Sequence, residues 1–152
     1  MKVIRSIEDA TSLAGQELGV GEWKEINQER INSFADVTED DQWIHVDVER
    51  AKADSPYGAT IAHGFLTLSL IPKLSKDNFR VDNAKMGINY GLNKVRFLGA
   101  VTAGSRIRLR SKLVDVNRVS EDTVNLTVEQ TIEIEGSDKP AAVAELISRW
   151  IF

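Results

Sequence analysis

Residues 58–74, GATIAHGFLTLSLIPKL, constrain the chain more than any other stretch. Ala59, Ile61, Ala62, Phe65, Leu66, Leu68, Leu70, Ile71 and Leu74 fall on every side of a helical wheel, and a helix without a polar face has to be buried. The stretch is too short and too interrupted to cross a bilayer, so protein must cover it. His63-Gly64 lies inside it, where the Ser55-Pro56-Tyr57-Gly58 turn hands over to helix. A mid-helix glycine costs about 1 kcal/mol relative to alanine, so Gly64 needs a reason. Two are open. A ligand oxygen can approach the first N–H groups of the helix, which have no intrahelical partner, or a strand can simply pack against the helix there.

What surrounds this helix is bounded by composition. The chain has 152 residues, 42% hydrophobic and 28% charged, which reads as one globular domain over 1–152 with a real core. The opening MKVIRSIEDA lacks a signal peptide's apolar run and nothing later is long enough to span a membrane, so a cytoplasmic location without membrane association is expected. There is no cysteine, which removes disulfides, thiolate metal sites and a cysteine nucleophile. Any imidazole chemistry falls to His45 or His63. A net charge of -4 gives no general attraction to nucleic acid.

Residues 3–14 read as a short amphipathic helix anchored by Ile4, Ile7 and Leu13. A short strand at Trp23–Ile26 precedes a helix over about Gln28–Val37, and Glu49–Ala53 makes another helical turn before Ser55-Pro56 ends it. From Met86 onward the apolar period changes to two. A long strand through Ile88, Tyr90, Leu92, Val95 and Phe97 carries a register break near Asn93. Ile107, Leu109 and Leu113 alternate with Arg106, Arg108, Arg110 and Lys112, and Val124 to Ile134 alternate with acids that include Glu129 and Glu133. A hairpin through Asn117–Asp122 sets these basic and acidic faces opposite each other, at roughly 0.2 to 1 kcal/mol per pair. Ala141–Phe152, apolar on both faces, suits a central strand. Helical elements followed by at least four long antiparallel strands make an α+β domain in which a curved sheet holds the helix.

Chemistry concentrates in FADVTEDDQWIHVDVERA, residues 34–51. Asp40 and His45 stand five apart across a polar turn, close enough for a carboxylate and an imidazole to meet and exchange protons near neutral pH. The same residues also suit a helix cap with solvated acids and a half-buried ring. No dinucleotide loop or nucleophile elbow is present, and His45 and His63 have no third ligand at a metal-binding spacing.

Phe34, Thr38, Asp40, Ile44, His45 and Ala51, followed by Ile61-Ala62-His63-Gly64, resemble the hydratase signature of the MaoC-like dehydratase family, which includes (R)-specific enoyl-CoA hydratases and nodulation-protein-N-like proteins. The likeness continues through Asn89-Tyr90-Gly91 and Lys94-Val95-Arg96-Phe97 to Gly104-Ser105. It implies a hot dog fold, with an antiparallel sheet wrapped around one long central helix. It also implies reversible hydration of trans-2-enoyl-CoA to (R)-3-hydroxyacyl-CoA. Asp40 and His45 correspond to the catalytic pair, and Gly64 to the residue whose N–H polarises the thioester carbonyl. The chain departs from the pattern at Gln42, where Asn is common, at Trp43, where Pro is common and a large ring is now added beside His45, and at Glu39, where Gly is frequent. Gln42 and Trp43 are thus expected on the substrate side, and Lys94 and Arg96 near the CoA phosphates; the Arg106–Lys112 stripe reads instead as a solvated face paired with acids. The resemblance further implies no metal or redox cofactor, a small-molecule acyl-CoA substrate and a homodimer. Two rival readings stay open: an acyl-CoA thioesterase on the same fold, and a non-catalytic acyl-CoA binding protein.

Overall fold

Alternation after Met86 produces the long strands, and their side-chain rows decide where the helix goes. A computed structural model describes all of residues 1–152. In chain order the elements are β1 (Lys2–Ile4), α1 (Ile7–Ser12), β2 (Glu17–Val20), β3 (Lys24–Ile26), α2 (Gln28–Thr38), α3 (Trp43–Val46), α4 (Val48–Asp54), α5 (Gly64–Ser69) and α6 (Ile71–Leu74). After a 3-10 turn at Ser75–Asp77 come β4 (Phe79–Val81), β5 (Met86–Phe97), β6 (Ser105–Arg118), β7 (Thr123–Ile134) and β8 (Ala142–Ile151). The main antiparallel sheet runs β2-β6-β7-β8-β5, with β3 continuing beside β6 where β2 has ended. β8 is central, as its two apolar faces require, and β5 shifts register between Leu92 and Lys94 and again between Asn89 and Gly91.

The hairpin pairs as its charges demand. Arg108 lies opposite Glu133 and Lys112 opposite Glu129; Arg108 donates to Glu133 at 2.6 Å, and Arg110 bridges Glu133 and Glu17 at 2.9 and 2.7 Å. The basic stripe is therefore neutralised on the outer face. On the inner face Ile107, Leu109, Ile132, Ala142 and Ala144 form one core with Leu66, Ile71 and Leu74 of α5 and α6. Alanines on β8 let the helix come close, since their short side chains add little thickness between helix and sheet. Gly87 is needed for a different reason, because a Cβ there would lie 2.5 Å from the Trp150 ring across the strand pair.

Two expectations about helices are corrected. The N-terminal segment does not form one helix over 3–14: Lys2–Ile4 pairs in parallel with β4, and α1 starts only after Ser6, whose hydroxyl accepts the N–H of Asp9 at 3.1 Å. The central helix begins at Gly64, not Gly58. Residues 60–62 are extended because they bond across to 101–103, with Ala62 N–H donating to Val101 O at 2.7 Å and Ala103 N–H to Thr60 O at 2.9 Å. Pro72 lacks an N–H and interrupts the ladder, dividing the helix into α5 and α6, while Leu70 between them keeps right-handed helical angles. The helix is not buried on every side either: Phe65 is 69% exposed on the flank toward β5. No helix is long and apolar enough to cross a membrane.

Candidate functional site

Helix α2 stops because Glu39 takes the left-handed conformation, φ 60° and ψ 26°. This is the position where the resembled signature favours glycine, and a non-glycine residue rarely sits there. The chain turns through Asp40 and Asp41 to Gln42, whose carbonyl accepts the N–H of His45 at 2.9 Å and starts α3. His45 is thereby carried inward and is only 7% exposed. Its Nδ1 lies 2.7 Å from Ile61 O. A carbonyl only accepts, so Nδ1 holds the proton and Nε2 keeps the lone pair.

Gln28 fixes this arrangement from the first residue of α2. Its Nε2 donates to His45 O at 2.7 Å and its Oε1 accepts the Thr60 hydroxyl. The start of α2, α3 and the extended residues before α5 are thus tied together. Nothing in the sequence marks Gln28 for this, since a polar residue opening a helix has many ordinary uses.

His63, 2% exposed, lies against the same site. Its ring stacks on His45 with centroids 3.8 Å apart and planes at 21°, and its Nε2 donates to Asp40 O at 2.8 Å. One imidazole therefore supports the other while gripping the backbone of the acid. Polar atoms of Asp40, His45 and His63 all fall within 4.8 Å of one another. The missing third ligand inferred from spacing is thus corrected: folding supplies Asp40. Metal binding still fits poorly, because stacked rings 3.8 Å apart hold their lone pairs in two nearly parallel planes. They do not meet at a point about 2 Å from each nitrogen, as zinc requires.

Gly64 follows His63 and opens α5, and its N–H has no acceptor within the chain. A Cβ at this position would lie 3.1 Å from the Phe97 ring of β5. Both reasons for the glycine are met at once: a strand side chain packs on it, and its donor stays free. A cleft of about 220 Å³ opens beside it, walled by Tyr57, Thr67, Phe97 and Leu98.

The remaining candidates do not converge on this place in the single chain. Gln42 is exposed and makes no side-chain cap to α3. The Trp43 ring carries the Arg50 guanidinium 4.2 Å from its centroid rather than lying beside His45, because residues two apart on a helix face different ways. Lys94 and Arg96 stand on the face of β5 opposite Val95 and Phe97; Lys94 is registered against Glu145, and Arg96 donates to its neighbour Val95 O at 2.8 Å.

Burial is the main influence on His45 and pushes its pKa below the ordinary 6.5; the bond to Ile61 O opposes this, the neighbouring His63 adds to it, and Asp40 opposes it. His45 is therefore neutral at pH 7, with an acceptor nitrogen available within reach of a carboxylate.

The model for the MaoC-like domain matches residues 9–134. The chain is 51% identical over 151 residues to 3-hydroxyacyl-thioester dehydratase Z of Mycobacterium tuberculosis, covering 99% of each. It is 44% identical over 144 residues to nodulation protein N of Rhizobium leguminosarum bv. viciae, covering 94% of this chain and 89% of that one. Among solved structures, the (R)-hydratase from A. caviae superposes with a TM-score of 0.69 at 22% identity, over 89% of this chain and 94% of that one, which shows the shared hot dog fold. With a family model spanning most of its length and relatives aligned nearly end to end, this chain belongs to the MaoC-like domain family.

Proposed function

We propose that the protein is a cytoplasmic hydro-lyase of acyl thioesters, an (R)-specific enoyl-CoA hydratase that interconverts trans-2-enoyl-CoA and (R)-3-hydroxyacyl-CoA. The observation that carries this reading is the meeting of the Asp40 carboxylate and the neutral His45 imidazole beside His63, the residue just before Gly64, whose N–H is unused at the start of the central helix. The aligned dehydratase supports the reaction class.

Each group has one task. Asp40 and His45 hold a water between them. As its oxygen bonds to C3, a proton leaves it for the pair, and the C2=C3 electrons move toward the thioester oxygen. The Gly64 N–H stabilises that oxygen as its charge develops. The carbonyl then re-forms as C2 takes a proton from the pair, so that water has added across the double bond with no co-reactant. No metal or redox cofactor enters this scheme. Hydration of crotonyl-CoA, followed as loss of the enoyl thioester absorbance, tests it. Release of free thiol without that loss would instead make the protein a thioesterase, and binding without either would make it a carrier.

The working form of His45 is the neutral ring, which fixes a pH dependence. Because its pKa is lowered, kcat/KM should hold as pH falls through 6.5 and decline only below it. The same shift favours the folded state: this contribution is complete above the unfolded pKa of about 6.5 and is lost as pH falls through the folded value. An acidic limb centred at or above 6.5 would exclude His45 as the group responsible.

The homodimer belongs to the same proposal. β5 pairs on one side only, with β8, and exposes Ile88, Tyr90, Leu92 and Phe97 near Phe65 and Tyr57. An open edge carrying this much apolar surface calls for a covering partner, and a second copy provides a self-complementary one. Sedimentation at micromolar concentration should show a dimer, and Tyr90→Asp should shift it to monomer. A monomeric wild type would overturn this assignment.

A further inference from the structure

The flank of α5 and α6 that faces β5 is followed by three hollows. The first is the cleft of about 220 Å³ at Gly64. The second, about 330 Å³, lies over Leu68, Ile71 and Leu146. The third, about 710 Å³, lies beyond Pro72 between β4, β5 and β8, and it shares Pro72, Asn89 and Leu146 with the second. From Gly64 to Leu74 the helical course covers about 16 Å. An extended chain attached at Gly64 would therefore reach the third hollow.

That far hollow is mostly apolar, with Phe79, Val81, Val128 and Trp150 in its wall, but Gln130 lies in its floor. Gln130 is 1% exposed. Its orientation follows from a chain of hydrogen bonds that starts at a backbone carbonyl. Leu109 O can only accept, so the atom of Asn78 at 2.9 Å is the donor Nδ2, which also donates to Ser111 Oγ at 2.7 Å. The Ser111 proton then goes to Gln130 at 2.6 Å, and the atom it meets is the acceptor Oε1. The amide nitrogen is left facing the other way. Gln130 Nε2 has no partner in the chain, yet it is not among the fully enclosed unpartnered atoms, which are His63 Nδ1 and Asn78 Oδ1. It opens into the hollow. No carboxylate lines that space; Lys76 and Arg80 stand in its wall, Arg80 paired with Asp82 at 3.0 Å, and the Ser148 hydroxyl accepts from Trp150 Nε1 at 2.9 Å while keeping its own proton to donate.

We propose that Gln130 recognises an acceptor oxygen at the far end of the substrate's acyl chain, so that the preferred substrates are long enoyl thioesters whose distal end carries a carboxylate. The proposal rests on the hydratase reading above and adds to it the chemical class of the tail. A plain methyl end would bury the two amide hydrogens against hydrocarbon, whereas a carboxylate oxygen would accept one of them with Lys76 and Arg80 nearby.

The test compares kcat/KM for three substrates: crotonyl-CoA, a long trans-2-enoyl-CoA ending in methyl, and one of equal length ending in a carboxylate. Wild type should prefer the carboxylate end by about tenfold or more. Gln130→Glu keeps an oxygen to accept the Ser111 hydroxyl, leaves the Asn78–Ser111 bond in place and replaces only the free amide nitrogen by an oxygen; it should lose that preference and keep wild-type hydration of crotonyl-CoA. Equal rates on the two long substrates in wild type would overturn the proposal. So would an unaltered preference in Gln130→Glu, or a parallel loss of crotonyl-CoA hydration, which would make Gln130 a structural residue. Wild type that fails to hydrate even crotonyl-CoA would instead overturn the hydratase reading itself.

Discussion

Asp40→Asn and His45→Gln should each lower crotonyl-CoA hydration by at least about a hundredfold, the scale of one lost acid-base partner, while both proteins stay folded. The two substitutions isolate proton transfer because the structure spares everything else. Asp40 is exposed, and what ties it to the fold is its backbone carbonyl, which accepts from His63 and is unchanged in the asparagine variant. In His45→Gln the new amide N–H can still donate to Ile61 O, the bond that anchors the ring now, but an amide cannot take up a proton near neutral pH. Circular dichroism and thermal melts of both variants should match wild type, while steady-state turnover falls. Near-normal turnover in either variant would remove that residue from the chemistry.

The parts of the fold that the sequence made plain are those decided by local period and charge. Alternation places β5 to β7 and a run apolar on both faces places β8, and the arginines of β6 meet the acids of β7 in register, Arg108 opposite Glu133. The residues misplaced by local reading are held by distant partners. Thr60 to Ala62 look as helical as the residues after them, yet they are extended because Val101 and Ala103 bond to them. Lys2–Ile4 leaves the apparent N-terminal helix for a strand seventy-odd residues away. A one-dimensional pattern contains no information about a hydrogen bond of that reach.

The site divides along the same line. Asp40 and His45 lie on one turn, so their meeting is visible from spacing. His63 lies eighteen positions beyond His45 and reads only as a residue holding the turn before a helix. It does hold that turn, but its ring also forms one side of the His45 site and its Nε2 carries the backbone of Asp40. Gln28 left no trace at all, because its contribution consists of two bonds to segments far along the chain. The free amide of Gln130 is legible only once Asn78, Ser111 and the Leu109 carbonyl are seen in one line.

Gly64→Pro is the sharpest test of the remaining catalytic group, since it deletes one N–H in a setting that tolerates proline. Gly64 is the first residue of α5, where proline's fixed φ suits a helix and its missing donor removes no helical bond. The residue before it already has what proline demands: His63 sits at φ −59° and ψ 139°, in the extended region to which a following proline restricts its neighbour. The added Cβ meets the Phe97 ring at 3.1 Å. That ring is 50% exposed and can give way, and Gly64→Ala introduces the same Cβ while keeping the N–H. Gly64→Ala should therefore stay within about tenfold of wild type, whereas Gly64→Pro should lose a further factor of about 10² to 10³ in kcat, the range for one donor aimed at a developing oxyanion. If the two variants turn over equally, the N–H of residue 64 does not bear the charge of the transition state. Glycine would then be required here only because Phe97 packs on it.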